Sequence, residues 1–211
     1  MKGSFSIDEV FSYGWKTMLK NFGFFVLMII IVGAVGGTLG GLNGALSASD
    51  ESAAQGLAFV ISLIYFVAVM IMQVGVTKIT LQILDGKKTS HAELFTNWEV
   101  FGNYVLGSII YGLIVCGGMI LFVVPGIYWS IRYRFFSYLI IDKKMNAWEA
   151  IIESSRITRG QRWQVFAFEL PKAIVMITGF LALGFGLLLA LPTVLMAETA
   201  VYRDLLDRAA K

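Results

Sequence analysis

From Phe22 to Leu46 the chain runs for 25 residues without one charged side chain. A helix needs roughly 20 consecutive apolar residues to cross the hydrocarbon core of a bilayer, so this stretch predicts a membrane span. Uncharged runs recur from about Gly56 to Thr77 and from about Gly102 to Val124. The composition points the same way: of 211 residues 57% are hydrophobic and only 15% charged, which fits a polytopic membrane protein and not a soluble domain. Lys2, Lys16 and Lys20 precede the first run, and Ala45-Leu46-Ser47-Ala48 resembles a cleavage site, but the run exceeds a signal-peptide core and reads as a retained helix.

The formal net charge of +3 comes from basic residues outside the apolar runs, so the excess sets orientation and predicts no nucleic-acid partner. One cysteine, Cys116, forbids an intrachain disulfide and reads as a small packing residue. One histidine, His91, cannot build a histidine metal site, and neither metal nor cofactor is expected. Catalytic signatures are missing: there is no Gly-x-Ser-x-Gly, no phosphate-cradling Gly-Lys-Ser/Thr loop and no His-Glu-x-x-His. The chain is therefore read as not an enzyme.

The apolar run Gly117 to Arg134 is broken by Pro125-Gly126, and a relative recurs around Pro192. Proline ends a helical ladder and glycine accepts unusual dihedrals, so Pro125, Gly126 and Pro192 are expected hinges between paired helices. Ser6-Ile7-Asp8-Glu9, Ser90-His91-Ala92-Glu93 and Asn146-Ala147-Trp148-Glu149 have capping-box form, each ahead of apolar residues at helical spacing. Trp98-x-Val-Phe101 is echoed by Trp163-x-Val-Phe166. The expectation is an all-α membrane bundle in one domain over 1–211. Its six transmembrane helices form three hairpins, each preceded by an interfacial amphipathic helix, in repeat-like units of about 5–84, 89–141 and 145–206. The spans are placed at Phe22–Leu46, Gly56–Thr77 continuing towards Leu84, Gly102–Val124, Ile127–Ile141, Trp163–Gly184 and Leu187–Leu205.

Orientation follows from loop charge. The loops at Ser47–Gln55, which holds Asp50, at Pro125-Gly126 and at Gly184–Gly186 lack lysine and arginine, whereas Lys87-Lys88, Lys143-Lys144 and the tail to Lys211 are basic. Both termini are thereby placed in the cytoplasm.

Two glycine rows lie at every fourth position of the first span, Gly33, Gly37, Gly41 and Gly36, Gly40, Gly44. Such spacing lets helices approach closely in lipid and favours packing, with a flexible pathway-lining helix as the alternative. Ions within spans are candidate sites because charge in lipid is costly. Glu169 and Lys172 share a helix face around Pro171, and Glu198 is expected to meet Arg132; these four form the candidate ligand or ion pathway. Arg134, Arg156, Arg159 and Arg162 are candidates for lipid headgroups.

Phe11-Ser-Tyr-Gly-Trp15-Lys16, Val124-Pro125-Gly126-Ile127-Tyr128 with Ile131-Arg132-Tyr133, Ala147-Trp148-Glu149-Ala150 through Arg156-Ile157-Thr158-Arg159-Gly160, and Leu191-Pro192 to Tyr202-Arg203 together carry a resemblance. The chain resembles the membrane domain attached to some bacterial glycerophosphoryl diester phosphodiesterases, and related stand-alone membrane proteins. The resemblance implies a six-helix inner-membrane protein and carries over no catalytic residue, since the catalytic barrel of those enzymes is a separate domain. The function expected is binding or movement of a lipid-like or small amphipathic molecule. The alternative is a structural module joining a second copy or another membrane subunit through the glycine-rich helix.

Overall fold

The computed structural model describes residues 6–49, 51–182 and 185–210. Lys2, Asp50, Gly184 and Lys211, used above for loops and tails, lie outside the described residues. The described residues are 86% helix, and no strand occurs among them.

Helix α1 (Ile7–Lys20) starts where the Ser6 hydroxyl accepts the Glu9 amide, and buries Val10, Gly14 and Met18 on one stripe. That stripe lies on α9 (Leu187–Ala209): a β-carbon on Gly14 would stand 2.5 Å from the Thr193 carbonyl oxygen and 3.1 Å from the Ala197 nitrogen. The helix expected to lie alone in the interface is thus docked on protein. Asn21 alone separates it from α2 (Phe22–Ser47), which forms a hairpin with α3 (Ser52–Leu84); Ser62 donates to Asn43 across it at 3.0 Å.

The second expected capped helix is a 3-10 turn, His91–Leu94. Ser90 caps it through Ala92, while Glu93 turns away to Gln82 at 2.8 Å and Lys78 at 3.3 Å. Tertiary contact outcompetes the local box here, because Gly75 on α3 lets Leu94 approach so closely that a β-carbon would sit 2.4 Å from its Cα.

Helix α4 (Trp98–Leu121) ends at Phe122, whose extended backbone makes the reversal, and Pro125 is already the third residue of α5 (Val123–Arg132). Proline is tolerated in a first turn because those amides have no helical acceptor. Gly126 serves contact and not turn geometry: the two arms meet at Gly118 and Gly126, where a β-carbon on the former would lie 2.9 Å from the latter's Cα. The expected Pro-Gly hinge therefore lies three residues earlier, at Phe122. Pro192 is likewise not at a turn but buried inside α9 (Leu187–Ala209).

The expected fourth span is two short helices, α5 and α6 (Phe136–Lys143), parted at Tyr133 to Phe135. The backbone freed there is satisfied by α7 (Ala147–Ile157), whose capping box forms in full. The Ser154 hydroxyl accepts from the Phe135 amide at 3.0 Å, and the Thr158 hydroxyl lies 3.0 Å from the Arg132 carbonyl oxygen. Both side chains are fully buried, so the break is built in.

Four helices, α2, α3, α4 and α8 (Arg162–Leu181), are long and apolar enough to cross a membrane. Helices α5 and α6 are too short singly, and α9 carries Glu198, Arg203, Asp204, Asp207 and Arg208. Burial is concentrated where α1, α6, α7 and α9 meet the ends of α3 (Ile71 to Leu81) and α4 (Val100, Tyr104, Gly107). Away from that base Phe59, Leu63, Leu113, Ile120 and Val124 stay exposed. Uncovered apolar surface of this extent requires lipid or protein to cover it. Arg203 ties three returning arms together at the base, reaching Asp142 at the end of α6 at 2.7 Å and Asp85 after α3 at 2.9 Å.

Candidate functional site

Where α6 begins, α8 and α9 bring four ions together. Arg134 lies 2.8 Å from Glu198 and 3.0 Å from Glu169; Lys172 lies 3.1 Å from Glu198 and 3.6 Å from Glu169. The set is electrically neutral, with side chains 15% to 32% exposed. Arg134 uses both Nε, at 3.0 Å, and Nη2 on the same Glu198 oxygen, so its planar fork is held in one orientation. Pro171, inside α8 between Glu169 and Lys172, leaves the Ala167 carbonyl without its helical donor.

Of the four residues picked as a pathway from sequence, Glu169 and Lys172 lie within reach of each other, and Glu198 joins them through Lys172 and not through Arg132. Arg132 does not meet them, and Arg134, expected at the headgroups, occupies its place. Arg132 instead donates through Nε to the Ser155 hydroxyl at 2.6 Å and lies 5.1 Å over the Tyr133 ring. Had 127–141 been one helix, residues two apart would face nearly opposite ways; the break decides which of them turns inward.

Among the other headgroup candidates, Arg156 is paired to Glu153 on its own helix at 2.6 Å, and Arg159 is exposed. Arg162 donates to the Tyr128 hydroxyl and rests over that ring at 5.1 Å. The glycine rows of α2 are almost bare: Gly33, Gly36, Gly37, Gly41 and Gly44 have nothing within 4 Å of an added β-carbon, and Gly40 has only Tyr65 at 3.8 Å. The close contact expected there is not made within this chain. Cys116 is exposed as well, and not the packing residue expected.

One turn along α8 from Lys172 lies an apolar cleft of about 600 Å³ between α1, α8 and α9. Phe11, Trp15, Val175, Leu189 and Ala190 wall it, and the Ser12, Thr178 and Thr193 hydroxyls are its polar groups. A second, polar cleft of about 860 Å³ lies at the base beside Tyr13, Asp85, Asp142 and Arg203. Burial raises the Asp142 carboxyl, but hydrogen bonds from Arg203 and Tyr202 and the charges of Arg203 and Lys143 together outweigh it and hold the group below the usual carboxylate value. Asp85, Asp142 and Arg203 in this second cleft are consumed by the tie between helix ends, and Lys87, Lys143 and Asp207 line it beside them.

Sequence reasoning missed Ser154, Ser155 and Thr158. Their signal is spacing: hydroxyls at Ser154 and Thr158 stand four apart on the α7 face that also buries Ala147, Ala150 and Ile151, where a polar group needs a backbone partner. No group of three or more potential metal ligands occurs among the described residues. Comparison with protein-family models, curated proteins and solved structures finds no match, and nothing there identifies the diesterase-type membrane domain.

Proposed function

We propose that this chain is a non-enzymatic membrane protein that binds or moves a lipid-like or small amphipathic molecule. One observation carries the reading: an apolar cleft lies one helical turn from a neutral, partly exposed network of four ions. An amphiphile needs both an apolar wall and a place for its polar end, and Val175 and Lys172 offer these in succession on α8. Membership of a bacterial inner membrane, six crossings as three hairpins and cytoplasmic termini belong to the same reading. Supporting it, the arms ending at Asp85, Asp142 and Arg203 return to one place, as three hairpins entered from one side would. On this reading α5 and α6 cross in series, with the polar backbone of their junction turned to protein.

The test is native mass spectrometry of gently extracted protein and of Thr178→Trp, which narrows the cleft from an exposed position. The wild-type chain is expected to retain an amphiphile that the variant loses. Equal retention, or none in the wild type, overturns the reading.

The bare glycine face of α2 favours a second reading, a scaffold joined to another membrane subunit or copy through that helix. If Gly37→Ile abolishes a complex while Glu198→Gln and Lys172→Met leave a transport assay unchanged, the scaffold reading replaces the first.

A further inference from the structure

Of the seven arginines in the chain, Arg134, Arg156, Arg203 and Arg208 pair with carboxylates, whereas Arg132, Arg159 and Arg162 have no carboxylate within 4.0 Å among the described residues. Arg132, at the end of α5, and Arg162, at the start of α8, meet at Ser155, and Arg159 lies exposed in the short link between α7 and α8. Ser155 holds two of them, accepting from Arg132 Nε on its hydroxyl and from Arg162 Nη2 on its carbonyl oxygen at 3.5 Å. Tyrosine rings beneath both guanidinium groups, each at 5.1 Å, restrain them further. Arg162 Nε is buried and has no hydrogen-bond partner.

The position aggravates the imbalance. Arg162 is the first residue of α8, whose first turn contains no acidic residue, and the amino end of a helix carries partial positive charge that favours anions. Oriented guanidinium groups without a counter-charge, at the positive end of a 20-residue helix, fit an anion supplied from outside the chain. Two guanidinium forks match the tetrahedral oxygens of a phosphoryl group. Beside them Trp163 and Ile127 are exposed, at 78% and 38%, and supply apolar surface next to the charge.

We propose that Arg132, Arg159 and Arg162 form a site for a phosphoryl anion, met in the membrane as the headgroup of an anionic phospholipid. The lipid source rests on the amphiphile reading above; the anion chemistry does not, since it uses none of the cleft residues.

The experiment uses the full chain in detergent, titrated with phosphatidylglycerol, phosphatidylcholine or inorganic phosphate. Expected is preference for phosphatidylglycerol over phosphatidylcholine, and a loss of phosphatidylglycerol affinity of about ten-fold or more in Arg162→Gln and Arg132→Gln, as charge-assisted hydrogen bonds are removed. Arg159→Gln, which is exposed and so leaves the fold alone, is expected to lose several-fold, and Lys144→Gln, one charge removed elsewhere, to lose nothing. Competition by millimolar phosphate, with no lipid preference, keeps the anion site and assigns it a soluble phosphate. Equal affinity for both lipids with no phosphate binding, or an equal loss in Lys144→Gln and Arg159→Gln, overturns the site. Failure of the Thr178→Trp test leaves these outcomes untouched, and the converse holds.

Discussion

Replacing Gly14 by alanine tests whether α1 is part of the folded base or a helix resting on lipid. The added methyl meets backbone: the Thr193 carbonyl oxygen at 2.5 Å, the Ala197 nitrogen at 3.1 Å and the Ala197 β-carbon at 3.3 Å. Backbone cannot rotate aside, so α1 must withdraw from α9, and overpacking of a tight contact costs about 1–3 kcal/mol. Alanine recovers about 1 kcal/mol of helix propensity, leaving a net loss of up to about 2 kcal/mol, and a deficit of about 1–3 kcal/mol against the same change without the clash. Gly37→Ala is the matched control, because nothing lies within 4 Å of its β-carbon and only the propensity gain remains. Thermal unfolding in detergent, followed by helical circular dichroism, should therefore move in opposite directions for the two variants. If Gly14→Ala gains as Gly37→Ala does, α1 is not docked on α9. A destabilised Gly37→Ala would show instead that another subunit covers the α2 face.

Ser154→Ala should destabilise by about 1–3 kcal/mol, because the buried Phe135 amide loses its acceptor; hydrogen exchange at Phe135 should rise, and unchanged protection refutes the role given to α7. Glu198→Gln should cost a few kcal/mol in unfolding experiments by leaving Arg134 and Lys172 with only Glu169, and Glu169→Gln should cost less, Glu198 being the more enclosed at 15% against 32% exposure. Arg203→Met should act through pH. The folded Asp142 carboxyl lies below its usual value, so its contribution is whole above about pH 4 and fades as pH falls through the lower folded value. Without Arg203 burial is opposed only by the Tyr202 hydrogen bond and the Lys143 charge, so the carboxyl rises relative to the parent. The stability gap between parent and variant should therefore be widest near neutrality and narrow on acidification. A gap that does not change with pH refutes the tie.

The apolar spans were legible because hydrophobic run length is set by the bilayer and not by neighbours, as Phe22–Leu46 shows against the observed Phe22–Ser47. The third cap was legible because Asn146 and Glu149 bond only to each other's backbone. The second cap failed for a tertiary reason: Glu93 finds Lys78 and Gln82, and Gly75 draws the turn against α3. Nothing within Ser90 to Glu93 encodes those partners. The broken return arm was hidden too, since no proline or glycine marks Tyr133 to Phe135; the residues that permit it, Ser154 and Thr158, lie some twenty positions later.

That break also separates two kinds of arginine only two residues apart. A continuous helix would aim Arg132 and Arg134 apart but fix neither one's depth, whereas the interruption lets α7 and α8 approach from different sides. Arg134 receives Glu169 and Glu198 and is neutralised within the chain. Arg132 receives Ser155, a neutral partner that fixes the guanidinium without cancelling its charge. A structural ion pair needs cancellation, because uncompensated charge is costly where solvent is scarce. Only orientation without cancellation leaves net electrostatic attraction for an anion, whereas a neutral network can offer a polar end hydrogen bonds alone. The network around Glu198 thus closes its charges within the chain, and the arginines collected around Ser155 keep theirs for the phosphoryl anion proposed above.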